Sequence, residues 1–221
     1  MRDFSELYAI AADRKGGADA LEALLITPLA HDALSVTTDD RWLSAMAKCL
    51  FQAGFNWKVI EAKWPGTEEA FDGFNPQRVA SYHDDDMDRL LSDNRIVRNG
   101  AKVAAVIENA HFIRALASEH GSAGAFFANW PNETFTDLLT VLSKQGARLG
   151  GITGQRMLRM MGRDSFILSA DVVARLVAEG VVDKPPTSKR ELAATQSAIN
   201  HWSAQSGRGL TQISQILAFS V

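Results

Sequence analysis

Leu149-Gly150-Gly151-Ile152-Thr153-Gly154-Gln155-Arg156 is the stretch on which the reading of this chain turns. Three glycines surround one aliphatic residue, with helical patterns on both sides, which predicts a tight helix-to-helix hairpin. Glycine accepts positive φ and lets one backbone approach another surface closely. The helix that follows begins with N–H groups that have no partner inside it. Such a terminus, flanked by Arg148 and Arg156, suits an anion such as a DNA phosphate. Gly150, Gly151, Thr153 and Gly154 are the backbone candidates, and Lys144, Arg148 and Arg156 the cationic ones. A plain tight turn is the alternative for the same glycines. Against it, Lys144, Arg148, Arg156, Arg159 and Arg163 follow one another with no acid between Lys144 and Arg163.

Outward from the hairpin, helical spacing dominates and strand alternation is nearly absent. Asp39-Asp40 offer an N-cap to a segment with Leu43, Met46 and Leu50 on one face, and Gly54 offers its stop. Asn56 is placed to cap a short helix from Trp57 that must end before Pro65. Another helix begins near Pro76, and Asp84-Asp85-Asp86 reads as a helix N-terminus rather than a metal site. After Asn99, the residues Val103, Val106, Ile107, Ala110, Ile113 and Ala117 mark a long, buried, central helix. Glu133–Gln145, Arg156–Met161, a helix opened by Asp171 and closed at Gly180, Leu192–Trp202 and Leu210–Phe219 complete the set. The fold class is therefore all-α, with about ten helices in one compact two-lobed unit. Residues 1–221 are expected to form a single domain, the hairpin at 144–162, with 1–38 and 185–221 packed on it as extensions.

Composition narrows the function. The 221 residues, 46% hydrophobic and 22% charged, are ordinary for a globular domain. Cys49 is the single cysteine, so neither an internal disulfide nor a cysteine-based metal cluster can form. His31, His83, His111, His120 and His201 lack metal-ligand spacing, and no cofactor is implied. No uncharged run approaches the roughly 18–20 apolar residues of a membrane span. The charged start lacks a signal-peptide core, which points to the cytoplasm. A net charge of −3 argues against a protein that coats DNA broadly, but it leaves room for a local basic face.

Leu149–Arg156 resembles the helix-hairpin-helix of the large DNA glycosylase superfamily, and three further segments agree in order. Leu50–Trp57 is similar to the segment that places the intercalating wedge. Asn94–Lys102 is similar to the next landmark, and Ser169-Ala170-Asp171-Val172 to the element that carries the catalytic aspartate. Within the superfamily the chain resembles the 3-methyladenine DNA glycosylase I family, most densely over Phe51–Ile113, including Phe74-Asn75-Pro76 and Glu108-Asn109-Ala110. Three features depart from that family. Cys49 stands where the family has a glutamate that contacts the base, the ligands of its structural zinc are missing, and Ala11-Ala12-Asp13 occupies the place of its N-terminal tyrosine.

The resemblance implies an enzyme that flips a damaged base out of double-stranded DNA and hydrolyses its N-glycosidic bond. It assigns the catalytic carboxylate to Asp171, which by its position alone is also suited to capping the helix at Val172. Trp57 would stack on the flipped base, with Cys49 and Phe51 beside it in the pocket. Gln52 and Phe55 would fill the gap that the extruded nucleotide leaves. Trp42, Trp64, Trp130 and Trp202 fit the core better. No lysine lies between Gln145 and Asp183 to form a Schiff base, so the reaction is expected to be monofunctional. Its expected substrate is an alkylated purine such as 3-methyladenine, with no membrane and no obligate protein partner. Two other readings stay open: a DNA-structure-binding protein that has lost catalysis, and a helical protein whose basic stretch is surface decoration. A purely binding protein has no need of Asp171.

Overall fold

A computed structural model describes residues 1–221 as fourteen α-helices and two short 3-10 turns, with no β-strand. The first nine helices are α1 (Phe4–Lys15), α2 (Ala18–Glu22), α3 (His31–Ser35), α4 (Asp39–Gln52), α5 (Trp57–Ala70), α6 (Pro76–Val79), α7 (Asp84–Ser92), α8 (Gly100–His120) and α9 (Ala123–Asn129). The remaining five are α10 (Phe135–Gln145), α11 (Ile152–Met160), α12 (Ala170–Ala178), α13 (Lys189–Ser206) and α14 (Leu210–Phe219). The four helices beyond the expected ten are α1, α2, α3 and α9, of which α2 and α3, with five residues each, are too short to show a helical period.

Contacts divide the chain into two units. The central unit comprises Ala30–Trp130 and Leu139–Met161; the terminal unit comprises Met1–Leu29, Pro131–Leu138 and Gly162–Val221. No helix in either is long and apolar enough to cross a membrane.

In the central unit α8 is the core helix, as its periodicity predicts. Val103, Val106, Ala110 and Ile113 are fully buried along one stripe, and Asn99 caps the helix by accepting from the Lys102 N–H at 3.1 Å. Helix α4 packs on α8 and also on α11, which sets the hairpin and the loop after α4 side by side. Trp42 of α4 stacks on Phe127 of α9 at 4.3 Å, as core tryptophans do. The expected cap at Asp39-Asp40 is shifted. Thr38 holds the N-cap position, and Asp39 instead accepts from the Ala123 N–H at 2.8 Å, tying the start of α9 to the start of α4.

Pro65 does not end α5, which runs on to Ala70. Side chains brace the turns around the proline: the Thr67 hydroxyl donates to the Lys63 carbonyl at 2.9 Å, and Trp64 Nε1 donates to Glu68 at 3.1 Å. Trp64 also stacks on Phe74 at 5.6 Å, so tertiary packing outweighs the local preference of the proline. Glu68 joins this network to α4, accepting from both Arg41 amino groups (3.0 and 2.9 Å) and from Ser44 at 2.6 Å. Burial pushes its carboxyl up, yet the bonds from Arg41, Ser44 and Trp64 prevail and hold it below its ordinary value of 4.5. A carboxyl lowered on folding contributes stability above the unfolded value and loses it as pH falls through the folded one. Glu68→Gln is therefore expected to cost about 2 kcal/mol at pH 7 and to reduce the loss of stability below pH 4.5, read by thermal melts across pH.

The terminal unit is built on α13 and α14, whose Ile199, Trp202, Leu210, Ile213 and Ile216 are buried. Asp164 caps α14 by accepting from the Leu210 and Thr211 N–H groups at 3.0 and 2.8 Å. The Arg2 N–H donates to buried Glu179 at 2.8 Å, Trp202 Nε1 donates to the Arg2 carbonyl at 3.1 Å, and Arg175 also donates to Glu179 at 3.3 Å. Helix α1 thereby docks on the C-terminal helices.

Candidate nucleic-acid interface

The glycine-rich turn is a hairpin between α10 and α11, and each glycine has its own reason. Gly151 has φ 58° and ψ −138°, a conformation that side chains resist, and it sits at the N-cap of α11 with open space around it. Gly154 is buried: a Cβ there would lie 2.3 Å from the Leu149 carbonyl oxygen and 3.1 Å from Leu142. A Cβ on Gly150 would meet the Ser143 hydroxyl at 3.0 Å. Gly150 and Gly154, expected to face a phosphate, thus serve close packing, whereas Gly151 and the half-buried Thr153 stand at the open turn. No side chain caps α11, and a helix supplies no partner of its own to its first N–H groups.

Asn109 of α8 pins the loop. Fully buried, it donates to the Ala147 carbonyl at 3.1 Å and accepts from the Ala147 N–H at 2.8 Å. The sequence singled this asparagine out only as part of a resembling segment; a polar residue on an otherwise apolar helix face was the available signal. Lys144 and Arg148 are exposed beside the turn, Arg148 with φ 56°. The acid-free run does not all belong to this face. Arg163 is buried in the terminal unit, donating to the Asn132 side chain and the Asp164 carbonyl. Arg95, in the segment Asn94–Lys102, is paired with Asp93 and Glu69.

Next to the hairpin, the loop after α4 and the start of α5 border a cavity of about 180 Å³ that overlaps a wide, solvent-open depression of about 530 Å³. Both are walled by Gln52, Trp57 and Arg156; Cys49, Ile152 and Thr153 line the inner one, and Phe55 and Asn56 the outer. Trp57 is 48% exposed, and the Arg156 guanidinium lies 5.1 Å from its ring centroid. At such exposure this cation–π contact is worth about 0.5–1 kcal/mol. Burial pushes the Cys49 thiol up to about 12 against the opposing pull of Arg156 and Lys48, so the inner wall carries a neutral thiol.

The other expected pocket and wedge residues divide. Phe51 is 1% exposed, packs edge-on against Phe71 at 6.5 Å and lines neither cavity. It is a core residue, not a pocket wall. Gln52 is 4% exposed and donates to Glu61 at 3.1 Å, while Lys48 pairs with the other Glu61 oxygen at 2.7 Å. It is held inward, and Phe55 is the side chain that projects, at 45% exposure. Lys102, which the sequence offered only as the end of a resembling segment, shapes this loop. Its ammonium donates to the Phe51 and Ala53 carbonyls at 3.2 and 2.8 Å and lies 5.9 Å from the Phe55 ring centroid. Burial first, and the nearby Arg148 charge second, hold this ammonium below its ordinary value.

Asp171 belongs to the terminal unit, where it is the exposed second residue of α12. It does not cap the helix; Ser169 does, accepting from the Val172 N–H at 3.3 Å. The family's structural zinc does not fit the residues present, because Cys49 is the single cysteine, is buried, and joins no group of metal-ligating side chains.

Residues 33–146 match the sequence model of a family described as methyladenine glycosylase. A DNA-3-methyladenine glycosylase 1 from Escherichia coli is 36% identical over 59 residues, which are 27% of this chain and 32% of that protein. The chain thus aligns with about a third of that relative's length. A 3-methyladenine DNA glycosylase I structure from Staphylococcus aureus, described as giving the structural basis of 3-methyladenine recognition, superposes with a TM-score of 0.52 at 25% identity. It covers 62% of this chain and 80% of that one. The 8-oxoguanine glycosylase/lyase of Methanocaldococcus jannaschii, solved with DNA, is similar in fold over 97% of this chain and 96% of that one, with a TM-score of 0.55 at 12% identity. The all-α fold is that of the helix-hairpin-helix glycosylases. With the family match spanning more than half of its residues, the chain belongs to the methyladenine glycosylase family.

Proposed function

We propose that this chain is a monofunctional DNA glycosylase, acting in the cytoplasm on double-stranded DNA that carries an alkylated purine such as 3-methyladenine. The observation that carries the reading is the uncapped start of α11, flanked by Lys144 and Arg148, beside an aromatic-walled cavity. A phosphate accepts from the first N–H groups of α11, and the two cations hold the strand. Phe55 fills the space vacated in the duplex, and the extruded base stacks on Trp57. As the bond between the base nitrogen and the sugar C1′ breaks, positive charge develops on the sugar. Asp171, in its place within the family pattern, supplies the negative charge that stabilises it and orients water toward C1′. Water oxygen joins C1′, its proton is released, and a free base and an abasic site result. Lys102 is committed to two carbonyl oxygens, and residues 146–182 contain no lysine, which favours hydrolysis over a Schiff base.

Release of the modified base from methylated duplex, leaving an alkali-labile abasic site and an uncut strand, is the expected result. Tight binding to an abasic-analogue duplex with no base release from any lesion would favour the non-catalytic binding reading instead. The phosphate contacts have their own test. Replacing both Lys144 and Arg148 by Gln is expected to flatten the slope of log affinity against log salt by about two, and an unchanged slope would remove them from the contact.

A further inference from the structure

We infer that Gln52, its amide held by Glu61, reads the base through its carbonyl oxygen and selects a 6-amino purine over a 6-oxo one. The inference rests on the glycosylase reading and names the residue that recognises its substrate. Of the side chains common to the inner cavity and the outer depression, Trp57 offers a ring face, Arg156 only donors, and Gln52 an amide. An amide can donate or accept, and its hydrogen-bond surroundings decide which end it presents. Gln52 Nε2 donates to one Glu61 oxygen at 3.1 Å, and Lys48 pairs with the other at 2.7 Å. A carboxylate only accepts, so it takes the NH2 end of the amide and leaves the carbonyl end free. Gln52 is buried, yet its Oε1 accepts nothing from the protein and, unlike Trp42 Nε1, is not sealed away from open space. The open space that Gln52 borders is the pocket itself.

A buried acceptor left without a donor costs more than a made hydrogen bond gains. The Gln52 oxygen therefore penalises a base that sets another acceptor against it. The amino group of an adenine supplies the donor, and an oxo group in the same place does not. Alkylation at a ring nitrogen draws electrons from that amino group and strengthens its N–H as a donor. The carbonyl thus suits the cationic lesion in DNA as well as the neutral base after release. Cys49 cannot take this role, because burial keeps its thiol protonated and a thiol is a weak acceptor. Glu61 is a positioning residue, reaching the base only through Gln52.

Calorimetric titration with free 3-methyladenine and with 3-methylhypoxanthine, which carries an oxygen in place of the amino group, reads binding apart from catalysis. The wild type is expected to bind the amino base about tenfold more tightly. Gln52→Met, close in size but without the acceptor, should bring the two bases within about twofold. Glu61→Met frees the amide to turn over and should leave a preference of about threefold. Glu61 is exposed, so this second variant decides the matter even where the buried substitution unfolds the protein. Lost packing would weaken both bases alike, which makes the ratio the readout. Equal binding by the wild type, tighter binding of the oxo base, binding of neither, or a ratio that either folded variant leaves unchanged overturns the inference, whatever the enzyme releases from DNA. An amino preference that the variants reduce, together with no base release from any lesion duplex, would instead sink the glycosylase reading and leave Gln52 as the reader of the pocket.

Discussion

Asp171→Asn is expected to lower single-turnover release of the damaged base about 10²–10³-fold while the protein stays folded. The substitution keeps the size of the side chain and removes its charge, which is the property the developing oxocarbenium ion uses. The structural cost is small because Asp171 is exposed and the cap of α12 is the Ser169 hydroxyl. What is lost is one acid in the first turn of a helix, worth about 0.3–1 kcal/mol. For a chain of this size that shifts the melting temperature by a few degrees at most. Binding to an abasic-analogue duplex should stay close to that of the wild type, since this carboxylate donates nothing to a phosphate. Quantifying the released base by chromatography checks the rate, and a mutant as fast as the wild type would take Asp171 out of the mechanism.

Gly154→Ala should be the most damaging single change in the hairpin. Its Cβ would lie 2.3 Å from the Leu149 carbonyl oxygen, a backbone atom that cannot turn aside, and 3.1 Å from Leu142. Relief requires α11 to shift away from the turn, at a cost of about 3 kcal/mol. Because the first turn of α11 is the proposed phosphate cradle, affinity for duplex DNA should fall at least tenfold together with stability. Gly150→Ala is the control: it meets the Ser143 hydroxyl at 3.0 Å, a side-chain atom that can rotate, and should be nearly neutral in both measurements. Denaturant melts and a binding titration on the same two variants would separate them. Equal behaviour would mean that the glycines are interchangeable turn residues.

These contrasts show how far the sequence reaches. The stripe of α8, the caps at Asn56 and Asn99, the helix start at Asp84 and the hairpin were legible because each rests on residues within a turn or two of one another. Pro65 was misread because its tolerance depends on Thr67, Glu68 and the distant Phe74 acting together. Cys49 and Phe51 were assigned to one pocket, yet residues two apart on a helix lie about 200° around its axis, so one wall cannot hold both. Gln52, three residues after Cys49, returns to the cavity side. The Arg156–Trp57 contact joins two helices far apart in sequence, and no local pattern announces it. Charge runs were the least informative, since Arg163 is buried among polar partners while Arg148, fifteen positions earlier by its number, is exposed.

The partition of the chain has a consequence for its birth on the ribosome. All of the central unit is encoded before Gly162, whereas the terminal unit closes only when Gly162–Val221 has emerged to meet α1. Glu179 and Trp202, the residues that hold Arg2, are made some 180 and 200 residues after it. Helix α1 must therefore wait, its Phe4 and Leu7 uncovered, through most of synthesis. A long-range closure of this kind is slow, because a large loop is ordered before any contact rewards it. In refolding, protection of α8 amides from hydrogen exchange should precede that of α13 and α14, so that the core helix matures before the late segment seals the first one.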